Sequence, residues 1–408
     1  MMNRRAFLRG ITKSSLIGAV TLTSSRSYAD ISLGRSSHFL LGASAEGASL
    51  ADRYFVYVGT YTGPKSKGIY GFDFDTKTRK FTQLGVAAEV VNPSWLETDP
   101  QHRYLYAVSE VGYRAGAEGY ISSFAVSRKT GALAFLNKMP SRGGGPCHLK
   151  VDRTGKILLV ANYGSGSIAA FAIKADGSIG ESLDFAQDGG SSVNPDRQSG
   201  PHCHEIVLSP DNRFLFVPEL GLDQIKIYRF NAAKGTFTPN NPPFVAVTPG
   251  YGPRHLTFGA GGKFAYLVCE MKSSVMVFSY DRASGSLTHQ QTISNLPSDF
   301  TGEDNSAEIQ ADRSGRFLYA SNRGNDSITV FGIDNLKGTV SAIQVAPTLG
   351  KIPRNFVLDP TGDTVLVANQ DSDQINVFNL DHTTGKLTPT DRQLSVPSPV
   401  CILLVPAG

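Results

Sequence analysis

The sequence predicts an all-β protein, a seven-bladed β-propeller with four-stranded antiparallel blades, its N-terminal blade closed by the C-terminal strand. Three observations carry that prediction. Apolar hairpins with the same turn chemistry recur roughly every fifty residues, a period that points to a propeller or solenoid. Each repeat holds four strand-length runs, more than a solenoid rung accommodates. The two ends are complementary fragments of one repeat: the chain begins on a second strand, Tyr54 to Thr60, and finishes on a first strand, Ser398 to Val405. Pairing those ends leaves no open sheet edge.

The elements follow in chain order. Residues 1–29 read as an export leader. Arg4-Arg5 in Asn3 to Leu8 is a twin-arginine pattern, Leu16 to Leu22 is a modest apolar run, and Ser27-Tyr28-Ala29 is a small-residue cleavage site. The partner this implies is the twin-arginine translocase, and the destination is the periplasm or another exported location. The apolar run is too short to cross a bilayer, so no membrane span is expected. Residues 30–52, rich in Ser, Gly and Ala, read as a flexible linker, which leaves 53–408 for the propeller.

Composition agrees. A 40% hydrophobic content with 42 glycines suits a large core and many tight turns. The formal charge of +4 belongs to the leader, which holds five of the 39 basic residues and none of the 35 acidic ones. The remainder is nearly neutral and carries no nucleic-acid footprint. Cys147, Cys203, Cys269 and Cys401 stand at no metal-ligand spacing and read as buried free thiols.

Within the repeat, inner turns fall at Asp99–Arg103, Asp152–Lys156, Ser209–Arg213, Gly259–Lys263, Asp312–Arg316 and Asp359–Asp363. Pro, Asp, Asn and Gly there supply the turn geometry. A first strand precedes each turn, such as Ile206–Leu208, and an alternating second strand follows, such as Tyr104–Val108 or Phe214–Val217. A short polar loop leads to a third strand (Ile168–Phe171, Ile328–Phe331), and a Thr-Gly or Ser-Gly turn at 130–131, 284–285 or 384–385 leads to the fourth.

This topology locates the chemistry. Residues just before each first strand and just after each second strand converge on one mouth of the central channel. The first group includes Trp95, His148, His202, His204, Arg254, His255, Glu308 and Arg354; the second includes Glu110, Tyr163, Glu219, Glu270 and Arg323. A ring of His, Glu and Arg at one opening is the candidate pocket. The bland readings stand beside it. Arg254, Arg323 and Arg354 also suit a structural ring of ion pairs with Glu219, Glu270 and Glu308. Asn162, Asn322 and Asn369 recur at one blade position and read as turn caps. Trp95 suits core packing and sugar stacking equally. His202 and His204 share a face of an extended strand, but no third ligand accompanies them, so no metal is expected and they read as substrate contacts or packing.

The motifs Gly-Gly-Pro-Cys-His at 144–148, Ala-Asn-Tyr-Gly-Ser-Gly at 161–166, Gly-Pro-His-Cys-His at 200–204, Gly-Pro-Arg-His-Leu at 252–256, Ser-Asn-Arg-Gly at 321–324 and Pro-Arg-Asn-Phe at 353–356 occur in order along the chain. Together they resemble the seven-bladed propeller lactonase family, which includes the propeller-type 6-phosphogluconolactonases and the fungal carboxy-muconate lactonizing enzyme. The resemblance spans about 55–405 and implies a small-molecule lactone substrate and no cofactor. It implies a catalytic set of His148, Glu219 and Arg254, with Arg197 beside them. Arg254 would stabilise an oxyanion, and His148 or Glu219 would move the proton. Arg197, His202, His204, His255, Glu270, Glu308, Arg323 and Arg354 are then the expected substrate-binding residues. No Gly-x-Ser-x-Gly elbow occurs, so no covalent step is implied. The alternatives are a muconate-type lactonizing cycloisomerase and a non-catalytic exported ligand-binding propeller.

Overall fold

A computed structural model describes residues 51–114 and 116–408; the leader, and all but the last two residues of the 30–52 linker, lie outside the described residues. The described residues form 28 strands in seven sheets of four, every pairing antiparallel. Blade 1 begins at Leu96–Thr98, blade 2 at Pro146–Val151, blade 3 at Val207–Leu208, blade 4 at Pro253–Phe258, blade 5 at Asn305–Ala311 and blade 6 at Pro353–Leu358. Blade 7 is composite: Pro399–Pro406 lies innermost and pairs with Arg53–Thr60, which continues to Gly68–Asp75 and Lys80–Glu89. The expected closure by the last strand is present.

Strand periodicity holds the ring together. Successive side chains of a strand face opposite sides, so each blade packs against both neighbours. Tyr54, Val56 and Val58 meet Leu366, Ala368 and Ile375 of blade 6. The alternate residues Phe55 and Tyr57 meet Leu96, Leu105 and Ala107 of blade 1. Seven apolar clusters of this kind occupy the seven junctions between consecutive blades. A repeated latch adds direction. Buried Tyr57, Tyr106 and Tyr319 donate their hydroxyls to the outer-turn carbonyls of Gly131, Gly177 and Gly385 in the next blade, at 2.9, 3.1 and 2.9 Å. Gly177 has φ +82°, and a Cβ there would lie 2.1 Å from the Tyr104 ring, so this turn needs glycine on two counts.

Blade 3 departs from the expected hairpin. Its inner strand is only Val207–Leu208: in the same register the next ladder donor would be Pro218, which has no N–H, and further upstream the Glu219 carboxyl accepts the His202 N–H. The chain upstream is held by His204 N to Pro218 O at 3.0 Å and Leu220 N to His202 O at 3.0 Å. All four cysteines are buried and unpaired.

The inner strands are also stitched across the channel wall. His148 Nδ1 accepts the Ile206 N–H at 3.4 Å, Glu205 accepts Leu256 N–H at 2.6 Å, and Asn355 accepts Ile402 N–H at 2.9 Å. In each of these three blades one side chain thus accepts a backbone donor of the next. Asn162, Asn322 and Asn369 are buried and donate to the carbonyls of Ser141, Asn295 and Thr348, tying each second strand to the connection that precedes its blade. They are structural, as expected, although what they cap is a blade connection.

Two outcomes follow. Deleting 397–408 removes the inner strand of blade 7 and takes Cys401, Ile402 and Val405 out of two junctions, so the truncated protein should be insoluble or melt far below the parent. A truncation that melts with the parent would contradict closure. The second outcome concerns Glu219, whose carboxyl burial pushes up to about 8 against the His202 N–H. Its unfolded value is near 4.3, so the folded chain holds a proton that the unfolded chain releases. That contribution to stability is complete below about pH 4.3 and is lost as pH rises through about 8. Between pH 5 and 9 the parent should therefore lose more Tm than Glu219→Gln. Parallel melting profiles would refute this.

Candidate active site

A 320 Å³ pocket opens at the mouth where first strands begin and second strands end. Blade topology delivers its lining: Cys147, His204 and Arg354 stand at first-strand openings, and Glu110, Tyr163, Glu270 and Arg323 at second-strand ends. Arg197 comes from the long connection between blades 2 and 3, outside the repeat. A separate cleft of 380 Å³ beside Arg313 and His382 lies at the inner turns of blades 5 and 6, on the opposite face.

Glu270 is the electrostatic centre. Its carboxylate lies 2.6 Å from Arg197 Nη2, 3.0 Å from Arg254 Nε and 3.3 Å from Arg323 Nη2. Burial works against its charge, but Arg323, Arg254 and Arg197 together hold it well below the usual carboxylate range. Arg254 is held at a second point, since Nη1 also donates to Ala307 O at 2.7 Å. Arg323 donates to the backbone carbonyls of Asn305 and Ser306, both at 3.1 Å. Burial lowers Arg323 to about 10, so it remains a cation at neutral pH. Arg354 differs: among the described residues no carboxylate lies within salt-bridge distance and its guanidinium makes no hydrogen bond, only a stack over the Tyr61 ring at 5.3 Å. It is the pocket cation with its fork free.

On the opposite flank, Glu110 accepts the Tyr61 hydroxyl at 3.0 Å and the Tyr113 hydroxyl. The two histidines of the His-x-His pair embrace one ring. His202 stacks on Tyr163 with centroids 4.4 Å apart and bonds its carbonyl, while His204 meets the same ring edge-on at 5.3 Å. His204 lines the pocket with Nε2 3.8 Å from Glu270, and its Nδ1 has no partner among the described residues. Burial and the cation of Arg254 hold its pKa well below 6.5, so the contact with Glu270 is between a neutral imidazole and a carboxylate, not an ion pair. The Cys147 thiol also lines the pocket, but burial and Glu110 push it up, and it points to the His204 carbonyl at 3.2 Å. It is no thiolate nucleophile.

The structure does not bring the whole expected set together. His148 sits one layer down the channel, its ring against Trp95 at 4.2 Å and His255 at 5.9 Å, and its Nδ1 is spent on the Ile206 N–H. Glu219 turns away from the pocket into blade 3, among Asp188, Cys203 and Lys226, because the His202 N–H captures it. Arg254 is absent from the lining of the 320 Å³ pocket; it holds Glu270 and lines a much smaller cavity with Glu110, His204 and Arg354. His255 and Glu308 form part of the channel floor with Nδ1 3.4 Å from Oε2. Burial lowers His255 well below the usual value and raises Glu308 to about 7, so at neutral pH His255 is uncharged and Glu308 is poised between its two forms. Arg197, His204, Glu270, Arg323 and Arg354 do converge in the pocket, and His202 buttresses Tyr163. Glu110 was expected at the mouth but given no role, and Tyr61, Tyr113 and Asn305 were not expected there. Glu110 stands at the repeat position of Glu219 and Glu270, the one signal that points to it; Tyr61 and Tyr113 carried none.

Similarity to known proteins agrees with this architecture. A family model described as Lactonase, 7-bladed beta-propeller, matches residues 55–404. The 6-phosphogluconolactonase of Bacillus subtilis is 33% identical over 350 residues, covering 86% of this chain and 98% of that protein. A 6-phosphogluconolactonase of Formosa agariphila is 34% identical, covering 84% and 96% respectively. The solved structure of the periplasmic gluconolactonase of Pseudomonas aeruginosa superposes with a TM-score of 0.81 at 34% identity, covering 87% of this chain and all of that one. With the repeat, the closed ring and the matching sequence in register, the chain belongs to the seven-bladed β-propeller lactonase family.

Proposed function

We propose that the mouth pocket hydrolyses a sugar-type lactone, an aldonolactone or its 6-phosphate, to the open acid. The observation that carries this reading is the surplus of guanidinium groups, one of them unpartnered, beside a neutral imidazole in a single 320 Å³ pocket. Water adds to the lactone carbonyl and the acyl–oxygen bond of the ring breaks. The former ring oxygen leaves as a hydroxyl and the carbonyl carbon becomes a carboxylate. Charge develops on the carbonyl oxygen during attack, and Arg354 meets it with donors that no protein acceptor occupies. His204, uncharged and edge-on to Tyr163, takes the proton from water and returns it to the departing ring oxygen. Arg323 and Arg197 supply positive potential for a phosphate or the product carboxylate, and their engagement with Glu270 keeps them in place. Glu110, held by two tyrosine hydroxyls, accepts hydrogen bonds from sugar hydroxyls. His148, Glu219 and Arg254 then act as supports behind the pocket.

The twin-arginine pattern and the periplasmic location of the Pseudomonas aeruginosa protein support an exported enzyme acting outside the cytoplasm. No helix among the described residues is long and apolar enough to cross a membrane.

The test is a panel of aldonolactones, with and without 6-phosphate, followed by acid release in a pH-stat. Arg354→Ala should lower kcat/KM by about 10²–10³, the cost of one oxyanion donor. His204→Ala should lower kcat by about 10²–10⁴, the span for an acid–base group. His204 works in its neutral form and its pKa is depressed, so parental activity should persist below pH 6.5 and fall only as protonation overtakes the imidazole. Variants as fast as the parent would remove the pocket from the reaction. For export, changing Arg4 and Arg5 together to Lys should hold the enzyme in the cytoplasm, measured as lactonase activity in the periplasmic fraction. Undiminished periplasmic activity would exclude twin-arginine export.

A further inference from the structure

The pocket does not end at Arg197. A second cavity of 530 Å³ adjoins it on the same face, and Arg197 and Asn305 line both. We propose that this outer chamber is a second binding subsite that takes a hydroxylated, uncharged unit attached to the lactone. The preferred substrates are then glycosyl aldonolactones, the lactones of disaccharide acids. The inference rests on the lactonase reading of the inner pocket and deepens it.

Size supports this first. A monosaccharide lactone is smaller than a drug-sized ligand and fits within the inner 320 Å³, leaving the outer 530 Å³ to a further unit. Charge comes next. The inner pocket is cationic, whereas the outer lining balances the cations of Arg197 and Lys272 with the acids Glu303 and Asp304. A phosphate or carboxylate is therefore drawn inward, and the outer chamber, with no net charge, suits an uncharged unit. Chemistry is the third point. Asn194 and Lys272 offer donors and Glu303 offers acceptors, which together suit hydroxyl groups that do both. Met271 and Leu296 add apolar surface for the C–H face of a sugar ring.

The chamber is also preformed, which lowers the ordering cost of binding. One wall is the blade 2–3 connection that carries Arg197. Asp223, a buried residue, accepts Ser192 Oγ at 2.6 Å and Gln198 Nε2 at 2.7 Å from that connection. The same carboxylate accepts the Gly250 and Gly252 N–H groups at 2.7 and 2.8 Å, fixing the segment that leads into blade 4. The opposite wall is braced by Asp304, which accepts Ser273 Oγ at 2.6 Å and Asn325 N–H at 2.8 Å. Neither wall is a free loop end.

The experiment compares cellobiono-1,5-lactone with glucono-1,5-lactone on the full-length mature enzyme, and in parallel measures cellobionate binding by calorimetry. The expected parental kcat/KM for the disaccharide lactone equals or exceeds that for the monosaccharide. Leu296→Trp, which narrows the outer chamber, and Glu303→Gln combined with Lys272→Ala should each lower the ratio of the two kcat/KM values about tenfold. Both variants should weaken cellobionate by a similar factor. A parent that opens gluconolactone but turns over the larger lactone at least tenfold less well overturns the subsite, as do variants that leave the ratio and the binding unchanged. A parent that opens no lactone in the panel overturns the hydrolase reading itself; in that case cellobionate binding that the variants weaken still supports the chamber, and no binding removes it.

Discussion

The mouth of this propeller depends on one carboxylate. Seven inner strands bring their first residues close together, and at that opening Arg197, Arg254 and Arg323 crowd around Glu270 at 2.6–3.3 Å. Guanidinium groups confined this way repel one another and lose solvent, and burial lowers both Arg254 and Arg323. A shared anion offsets that cost, and removing one partner of such a buried group typically costs about 3–5 kcal/mol. Glu270 therefore determines how much positive charge the pocket can hold while staying folded. Arg354 is a further cation placed where the network does not consume it, and burial works against its charge while the carboxylates of Glu110 and Glu270 favour it.

Beneath this layer the chemistry reverses, from charged to neutral. His148 and His255 meet Trp95 in the channel at tilted and edge-on angles, His204 joins them edge-on to His255 from the pocket above, and burial holds all three imidazoles well below their ordinary pKa. The carboxyls beside them move the other way: burial and Glu308 raise Glu205, and burial raises Glu308. Three close His–carboxylate approaches in and above the channel could be drawn as ion pairs. With the imidazoles neutral, none is one. With the imidazoles uncharged the channel adds no cation to the guanidinium groups above, and His148 and Glu205 accept backbone donors from the next blade.

The architecture was legible because it rests on period and phase, both of which are properties of the sequence. The out-of-phase ends at Tyr54 and Val405 required one composite blade, and that blade formed. The mouth was legible for the same reason, since topology alone collects first-strand openings and second-strand ends. Depth within the mouth was not. His148 and His204 occupy neighbouring layers of one channel, and only the Ile206 N–H, absent from any motif, decides that His148 serves the wall. Glu110, Glu219 and Glu270 share one repeat position. Glu219 is lost to the pocket because the His-x-His segment beside it presents a backbone donor, and Glu110 gains a role because Tyr61 and Tyr113 happen to reach it. Such assignments depend on single hydrogen bonds between distant residues, which no periodic reading can anticipate.

The division of labour between repeat and insertion has a physical basis. Arg254, Arg323 and Arg354 sit on strands whose register is fixed by packing on both sides, since a slip of one residue would expose a whole apolar face. Glu270 and backbone carbonyls then hold the guanidinium groups of Arg254 and Arg323. Arg197 belongs to a connection outside every ladder, so its length and composition can change without disturbing a blade. It nevertheless reaches Glu270 because Asp223 ties both its own connection and the approach to blade 4 to one buried carboxylate. The residue that joins the inner pocket to the outer chamber is thus the one whose placement depends on an inserted segment. On this fold the reacting centre is held by the repeat, and the reach of the cleft beyond it is set by the connections.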